Sequence, residues 1–416
     1  MHQWIFIWRK LARRLWFRVG LYGLTGVVAA LLAALFGRFV PPEISERLGG
    51  PNVEGLLTIL ANSLLAVSIF GAGAMVTAYT AVASSITPRA AGLVTTDRRL
   101  QGALSTFVGG FLYAIVALTA LSSSYYGKDG RTIVYIITLA VVGLVAINIL
   151  LIIDRLARLA RVDFVIERIE QETTKAFHRR LEWQAMTRPV PGDLPPPMGH
   201  VDSPRVARVQ NIDIPALCRV AEAAGARLQI MALPGALVGE GQALLRVFDA
   251  GIDEEQARAL RGAFALGDGR SFDQDPRHGL IVLGEIGARA LSPGINDPGT
   301  AISVIRAGVS LLSAWDALLG EGLPPADSPP RLLAPPLDPA DLIDDVFHPI
   351  VRYGAADVAI GQWLVKAMRL LERLKMPGMA DAARNFSTDA LARAKVSMAH
   401  AGDMTRLADS AGAPSA

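Results

Sequence analysis

A chain of 416 residues that is 51% hydrophobic, with a mean hydropathy of +0.36, is too apolar to be soluble throughout, so part of it belongs in a membrane. A formal net charge of +3 supplies no concentrated basic stripe and argues against nucleic acid as a partner. The single cysteine, Cys218, excludes an intrachain disulfide and a multi-cysteine zinc site.

Apolar residues concentrate before Asp154, and charges and prolines after it. Residues 1–153 therefore read as a transmembrane region. Four runs, at about 19–36, 56–83, 103–121 and 133–153, are long enough to cross a hydrocarbon layer of about 30 Å and hold no acid or base in their interiors. Trp4, Trp8, Trp16, Tyr125 and Tyr126 lie near the expected interfaces, where amphipathic rings settle. The basic leader (Arg9, Lys10, Arg13, Arg14, Arg18) would suit a signal peptide, but the apolar run is long and no A-x-A site follows, so a retained anchor is expected. Basic residues near the span ends run high, low, middling, low, high. The last group is Arg155, Arg158, Arg161 and Arg168. By the positive-inside rule both termini are cytoplasmic, in a bacterial-type inner membrane.

The second run is about 27 residues long, so it must tilt or project beyond the bilayer. Asn62, Ala66, Gly73, Thr77, Thr80 and Ser84 share one helical face in it. Such a face is either a helix-packing seam or the lining of a water-filled path.

Residues 154–188 read as a charged amphipathic connecting helix, on the membrane surface or as an oligomer stalk, and 189–204 as a proline-rich linker. Residues 205–250 alternate and turn like a small β-barrel or sandwich of the biotinyl/lipoyl kind. The stretch "LPGALVGEGQALLRVF" lacks the lysine that a carrier arm needs. Residues 251–400 read as a helical cytoplasmic domain and 401–416 as a disordered tail. The expected fold class is thus a bundle of about four transmembrane helices, followed by a cytoplasmic α+β region with a small β module and C-terminal helices.

Two polar blocks flank an apolar helix: Ser271-Phe-Asp-Gln-Asp-Pro-Arg-His278 and Ser292-Pro-Gly-Ile-Asn-Asp-Pro-Gly-Thr300. Asp275-Pro276 and Asp297-Pro298 have the form of an N-cap followed by proline at the first helical position. Asn296 and Gly294 suit a tight turn. The functional alternative gathers Asp273, Asp275, Asn296 and Asp297 around a hard cation or a polar ligand. No nucleophile triad, Walker loop, HExxH or GxGxxG is present, and the sequence requires no cofactor.

With "ARALSPGINDPGTAI" (Ala288 to Ile302), "FDQDPRHGL" (Phe272 to Leu280), "VQNIDIPAL" and "LPGALVGEGQ", the chain resembles the predicted membrane proteins of domain-of-unknown-function family 2254. The resemblance runs from the basic leader to about Leu371. His278 departs from it, standing where an aromatic such as Phe is expected. The resemblance implies a membrane topology and assigns no activity. The favoured expectation is a non-enzymatic homo-oligomer in the lipid bilayer, channel-like or acting as a sensor or scaffold. The alternative is a membrane-anchored metal-dependent enzyme that uses the two blocks.

Overall fold

In an apolar surrounding, long uncharged runs can satisfy their peptide groups only by hydrogen bonding within their own helix. The N-terminal third obeys this. The computed structural model describes residues 15–36, 53–90, 98–159, 161–322 and 331–412. The chain divides into two compact units, Trp4–Phe164 and a second that contains Val165–Ala416. The basic leader as far as Arg14 and most of the first expected loop lie outside the described residues.

The N-terminal unit comprises α1 (Leu15–Phe36), α2 (Val53–Ser85), α3 (Arg98–Ser122) and α4 (Lys128–Leu159). Helix α3 is central and packs against the other three. Its Leu100, Phe107, Tyr113, Ala114 and Ala117 are buried. The tightest approach is between α1 and α3. A Cβ added to Gly109 would lie 2.8 Å from the Tyr22 carbonyl oxygen, and one on Gly26 would strike the Gly109 carbonyl. Small residues at such points let two backbones touch. This Gly26–Gly109 contact was not anticipated from the sequence, although the glycines are plain in it. The Tyr113 hydroxyl donates to the Val134 carbonyl at 3.0 Å, and that of Tyr126 to the Ala30 carbonyl at 2.6 Å.

Among the described residues, five helical stretches, one more than expected, are long and apolar enough to cross a membrane: Trp16–Ala33, Val53–Ala83, Arg99–Ser122, Asp129–Ile153 and Pro298–Gly320. The fifth belongs to the C-terminal unit.

That unit begins with α5 (Val162–Gln184). The expected single connecting helix over 154–188 is instead divided, because α4 runs on to Leu159 and α5 starts at Val162. The apolar face of α5 does not need a membrane surface or a stalk partner. Val165, Ile166, Ile169, Ala176 and Phe177 are buried within the unit, and Phe177 stacks on Trp315 with ring centroids 5.0 Å apart.

Strands follow: β1 (Thr187–Arg188), β2 (Gly199–Asp202), β3 (Ala207–Ile212), then α6 (Ile214–Ala224), β4 (Arg227–Ile230), β5 (Leu237–Val238), β6 (Ala243–Phe248), α7 (Glu254–Gly262) and β7 (Phe264–Gly267). With β8 (Leu332–Leu333) they form a five-stranded sheet, β1-β8-β4-β6-β2, and a three-stranded sheet, β5-β3-β7. No closed barrel is present among the described residues. The sheets share one core, where Val209, Ile212, Leu228, Val247 and Phe264 meet Leu217 of α6 and Leu260 of α7. The β region thus overruns the expected 205–250. It takes β2 from the supposed linker, where it pairs antiparallel with β6, and β7 and β8 from the supposed all-helical part. These strands have four residues or fewer, too short to show alternation against a proline-rich background.

The remaining helices are α8 (Pro276–Ala290), α9 (Pro298–Gly320), α10 (Pro339–Gly354), α11 (Val358–Leu371), α12 (Met379–Ser397) and α13 (Ala401–Gly412). Helix α9, the fifth apolar stretch, packs against α8, α10 and α11 and buries Val304, Ile305, Leu311, Leu312 and Trp315. The expected disordered tail is largely α13, whose Leu407 is buried against Val365 and Ala394. One well-placed leucine anchors a segment whose composition alone reads as a tail.

Candidate functional site

The first polar block closes the gap between three parts of the C-terminal unit, and Asp273, Gln274, Asp275 and Arg277 each have a defined partner. Asp273 accepts from Arg179 of α5 (Nη1 to Oδ1, 3.2 Å). Gln274 completes the end of β3, accepting from the Ile212 N–H at 2.8 Å and donating to the Ile212 carbonyl at 3.1 Å. Asp275, only 2% exposed, accepts two bonds from Arg270 at 2.7 and 2.9 Å and caps α8 by accepting from the His278 N–H at 3.1 Å. Arg277 reaches α10, donating to Asp345 (Nε to Oδ2, 2.6 Å) and to Asp341. We term this set the clasp.

Burial dominates the electrostatics of its two most buried acids. It raises the Asp275 carboxyl above the usual range even though Arg270 pulls the other way. Asp345 is raised for the same reason, against the opposing pull of Arg277. Gly235, at φ +91°, makes room for the Asp275 carboxylate, which any Cβ there would strike. The sequence departure at His278 has a simple outcome. The imidazole is buried and lies against Phe272, ring centroids 4.5 Å apart, so it occupies a ring-packing position.

The second block sits at the other end of α8. A 15-residue helix is about 22 Å long, so Asp273 and Asp275 do not converge with Asn296 and Asp297. Asp297 caps α9, accepting from the Thr300 N–H at 3.0 Å and hydroxyl at 2.6 Å, and these bonds hold its carboxyl below the usual range. Asn296 takes φ +51° in the turn, and Asn is among the few residues that adopt this region readily. Among the described residues, no three His, Cys, Asp or Glu side chains are arranged to hold a metal ion. Asp213 and Asp338 cap α6 and α10 with proline in the first turn in the same way, so the Asp-Pro pairs of both blocks repeat a local device of this chain.

An open hollow of about 380 Å³ lies beside the clasp, lined by Ile281, Glu285, Asp344, Asp345, His348 and Pro349. His348 and Pro349 sit inside α10.

The faces of α2 settle where its polar stripe points. Leu57, Leu60, Ala61, Leu64, Met75 and Val82 are buried. Asn62, Ala66, Gly73, Thr77 and Thr80 are exposed. At 100° per residue the two sets lie on opposite sides of the helix. Thr77 and Thr80 donate to the Gly73 and Val76 carbonyls at 3.1 Å, so their hydroxyls are satisfied within the helix. The side chain of Ser84 lies outside the described residues. Among the described residues, the stripe lies on the side of α2 away from its buried face.

A family model described as "Predicted membrane protein (DUF2254)" matches residues 12–370. The chain belongs to that family. No curated protein and no solved structure matches it. The DUF2254 segment takes in the apolar helices of the N-terminal unit, the β region, the clasp and both polar blocks, and ends inside α11.

Sequence reasoning found Asp273 and Asp275 but missed their partners Arg179 and Arg270, and it missed the whole Arg277–Asp341–Asp345 set. Arg179 and Asp273 are 94 positions apart, and Arg277 and Asp345 are 68 apart, so no local pattern joins them.

Proposed function

We propose that this DUF2254 protein is a non-enzymatic homo-oligomer of the cytoplasmic membrane. Four of its five apolar stretches cross the bilayer and both termini are cytoplasmic. Helix α9 is the stretch that does not cross: it carries Arg306 and Asp316, and Asp316 accepts the Met376 N–H at 2.6 Å. The positive-inside pattern of the basic residues supports the sidedness.

One observation carries the oligomer: α2 turns Asn62 and a row of small residues outward, among exposed Ile59, Ile69 and Phe70, on the side away from its own buried face. An amide in hydrocarbon needs a partner, and a stripe of small residues allows close approach by another helix. A second copy of α2 supplies both. Any solute path along Asn62, Gly73, Thr77 and Thr80 would then run between subunits, not through one. The C-terminal unit assembles or senses. The metal-assisted alternative gains nothing from carboxylates set at opposite ends of α8.

The mass of the purified protein in nanodiscs or mild detergent tests this. The wild type should be a defined oligomer, and Asn62→Leu should weaken association about tenfold, the range of interhelical polar contacts in membranes. A monomeric wild type, or an Asn62→Leu variant that associates equally well, would sink the assignment.

A further inference from the structure

The exposed face of α11 differs from those of α5 and α12. On α12 the surface charges pair off, Asp381 with Arg384 and Asp389 with Arg393, and on α5 Glu172 lies between Arg168 and Lys175. Such faces suit water. On α11, Ile360, Leu364, Val365, Met368 and Leu371 point into the core. The outward face carries Trp363, Lys366, Leu370 and, just past the helix, Arg373, at spacings of 3, 4 and 3. Trp363 is 39% exposed and Leu370 43%. Arg369 borders the face, and Lys366 sits 5.2 Å above the Trp363 ring. Lys366 and Arg369 make no salt bridge among the described residues. The acids of this stretch are placed elsewhere: Asp357 is the N-cap, accepting from the Ala359 and Ile360 N–H groups, and Glu372 lies on the opposite side of the helix.

From this we infer that the outward face of α11 is a docking surface for the anionic headgroup layer of a phospholipid bilayer. Cations alone would suit any polyanion. A tryptophan and a leucine set between lysine and arginine match a medium that is negatively charged at its surface and apolar just beneath. The inference rests on the proposed function only in that the chain is held at a membrane, which supplies the lipid at high local concentration.

The test uses the full-length protein carrying Cys218→Ala and Gln362→Cys, labelled at the new thiol with an environment-sensitive fluorophore. It is placed in phosphatidylcholine nanodiscs with or without about one-third phosphatidylglycerol. The expected result is blue-shifted emission, quenched by shallow spin-labelled lipid, in the anionic discs alone, and reversed by salt. Replacing Lys366 and Arg369 by Glu should reduce the quenching about tenfold, as should the milder replacement by Gln. A label at His200→Cys, on the β2 surface, should stay unquenched. Water-like emission in both disc types would overturn the inference. So would a shift that ignores phosphatidylglycerol and grows with protein copies per disc, since that reports contact with a second chain. Failure of the unlabelled protein to enter discs at all would instead remove the membrane reading itself.

Discussion

Arg270→Ala should destabilise the C-terminal unit by about 3 kcal/mol, the usual cost of stripping one partner from a buried ion pair. The reason lies in Asp275. Its carboxyl is almost wholly buried, and Arg270 is the main group that offsets the loss of water, helped by the His278 N–H and the Arg277 charge. The penalty should depend on pH with a definite sign. Because the folded-state pKa of Asp275 lies above its ordinary value of 3.8, the folded protein holds this proton more tightly than the unfolded chain does. Removing Arg270 raises that pKa further. The deficit of the variant should therefore be greatest near neutrality and shrink as the pH falls through the folded pKa towards 3.8. Asp275→Asn keeps an oxygen for the helix cap without the charge, and added to Arg270→Ala it should restore most of the loss at neutral pH. Thermal melts of the full-length protein in detergent, followed through Trp183 and Trp315 fluorescence, provide the measurement. A pH-independent deficit would show that Arg270 contributes packing alone.

Gly284→Ala should cost about 2–3 kcal/mol although it adds one methyl group. A Cβ at that position would lie 2.5 Å from the Asp345 carbonyl oxygen and 2.9 Å from that of Val346. Both are backbone atoms of α10 and cannot rotate aside. Pro349 explains why α8 can approach the carbonyl of Asp345. It has no N–H to donate to the residue four positions earlier, so that oxygen is open to the neighbouring helix. Gly361→Ala supplies the comparison. Its Cβ would meet only the end of the Leu407 side chain, at 3.0 and 3.1 Å, which can turn away, so its cost should be smaller. Equal melting shifts for the two variants would contradict the backbone-contact argument.

The apolar helices of the N-terminal unit were legible in the sequence because hydrocarbon imposes a length and a composition that few other constraints imitate. The Asp-Pro helix starts were legible because an N-cap and its proline are adjacent in the chain. Spacing also placed Asn62, Thr77 and Thr80 on one face, but it could not tell whether that face looked inward or outward, which depends on where α3 packs. The clasp was only half legible. Its acids stand in a conspicuous block, whereas Arg179, 94 positions before Asp273, is an ordinary surface-type residue until the fold brings it in, and Arg270, five positions before Asp275, adjoins the block without any pattern that marks it as a partner. Strand β2 and helix α13 were hidden for another reason. Each is held by partners distant in sequence, β6 in one case and α11 in the other, and has little propensity of its own.

The position of α13 bears on how this protein can be cut. Family boundaries end at residue 370, inside α11, while α13 covers that helix through Leu407 against Val365, and the leucine side chain also meets Gly361. Trimming to the shared segment would shear a packed helix and strand an oily groove in water, inviting aggregation that mimics failed folding. Material for biochemistry should retain the chain through Gly412, with any affinity tag placed beyond it.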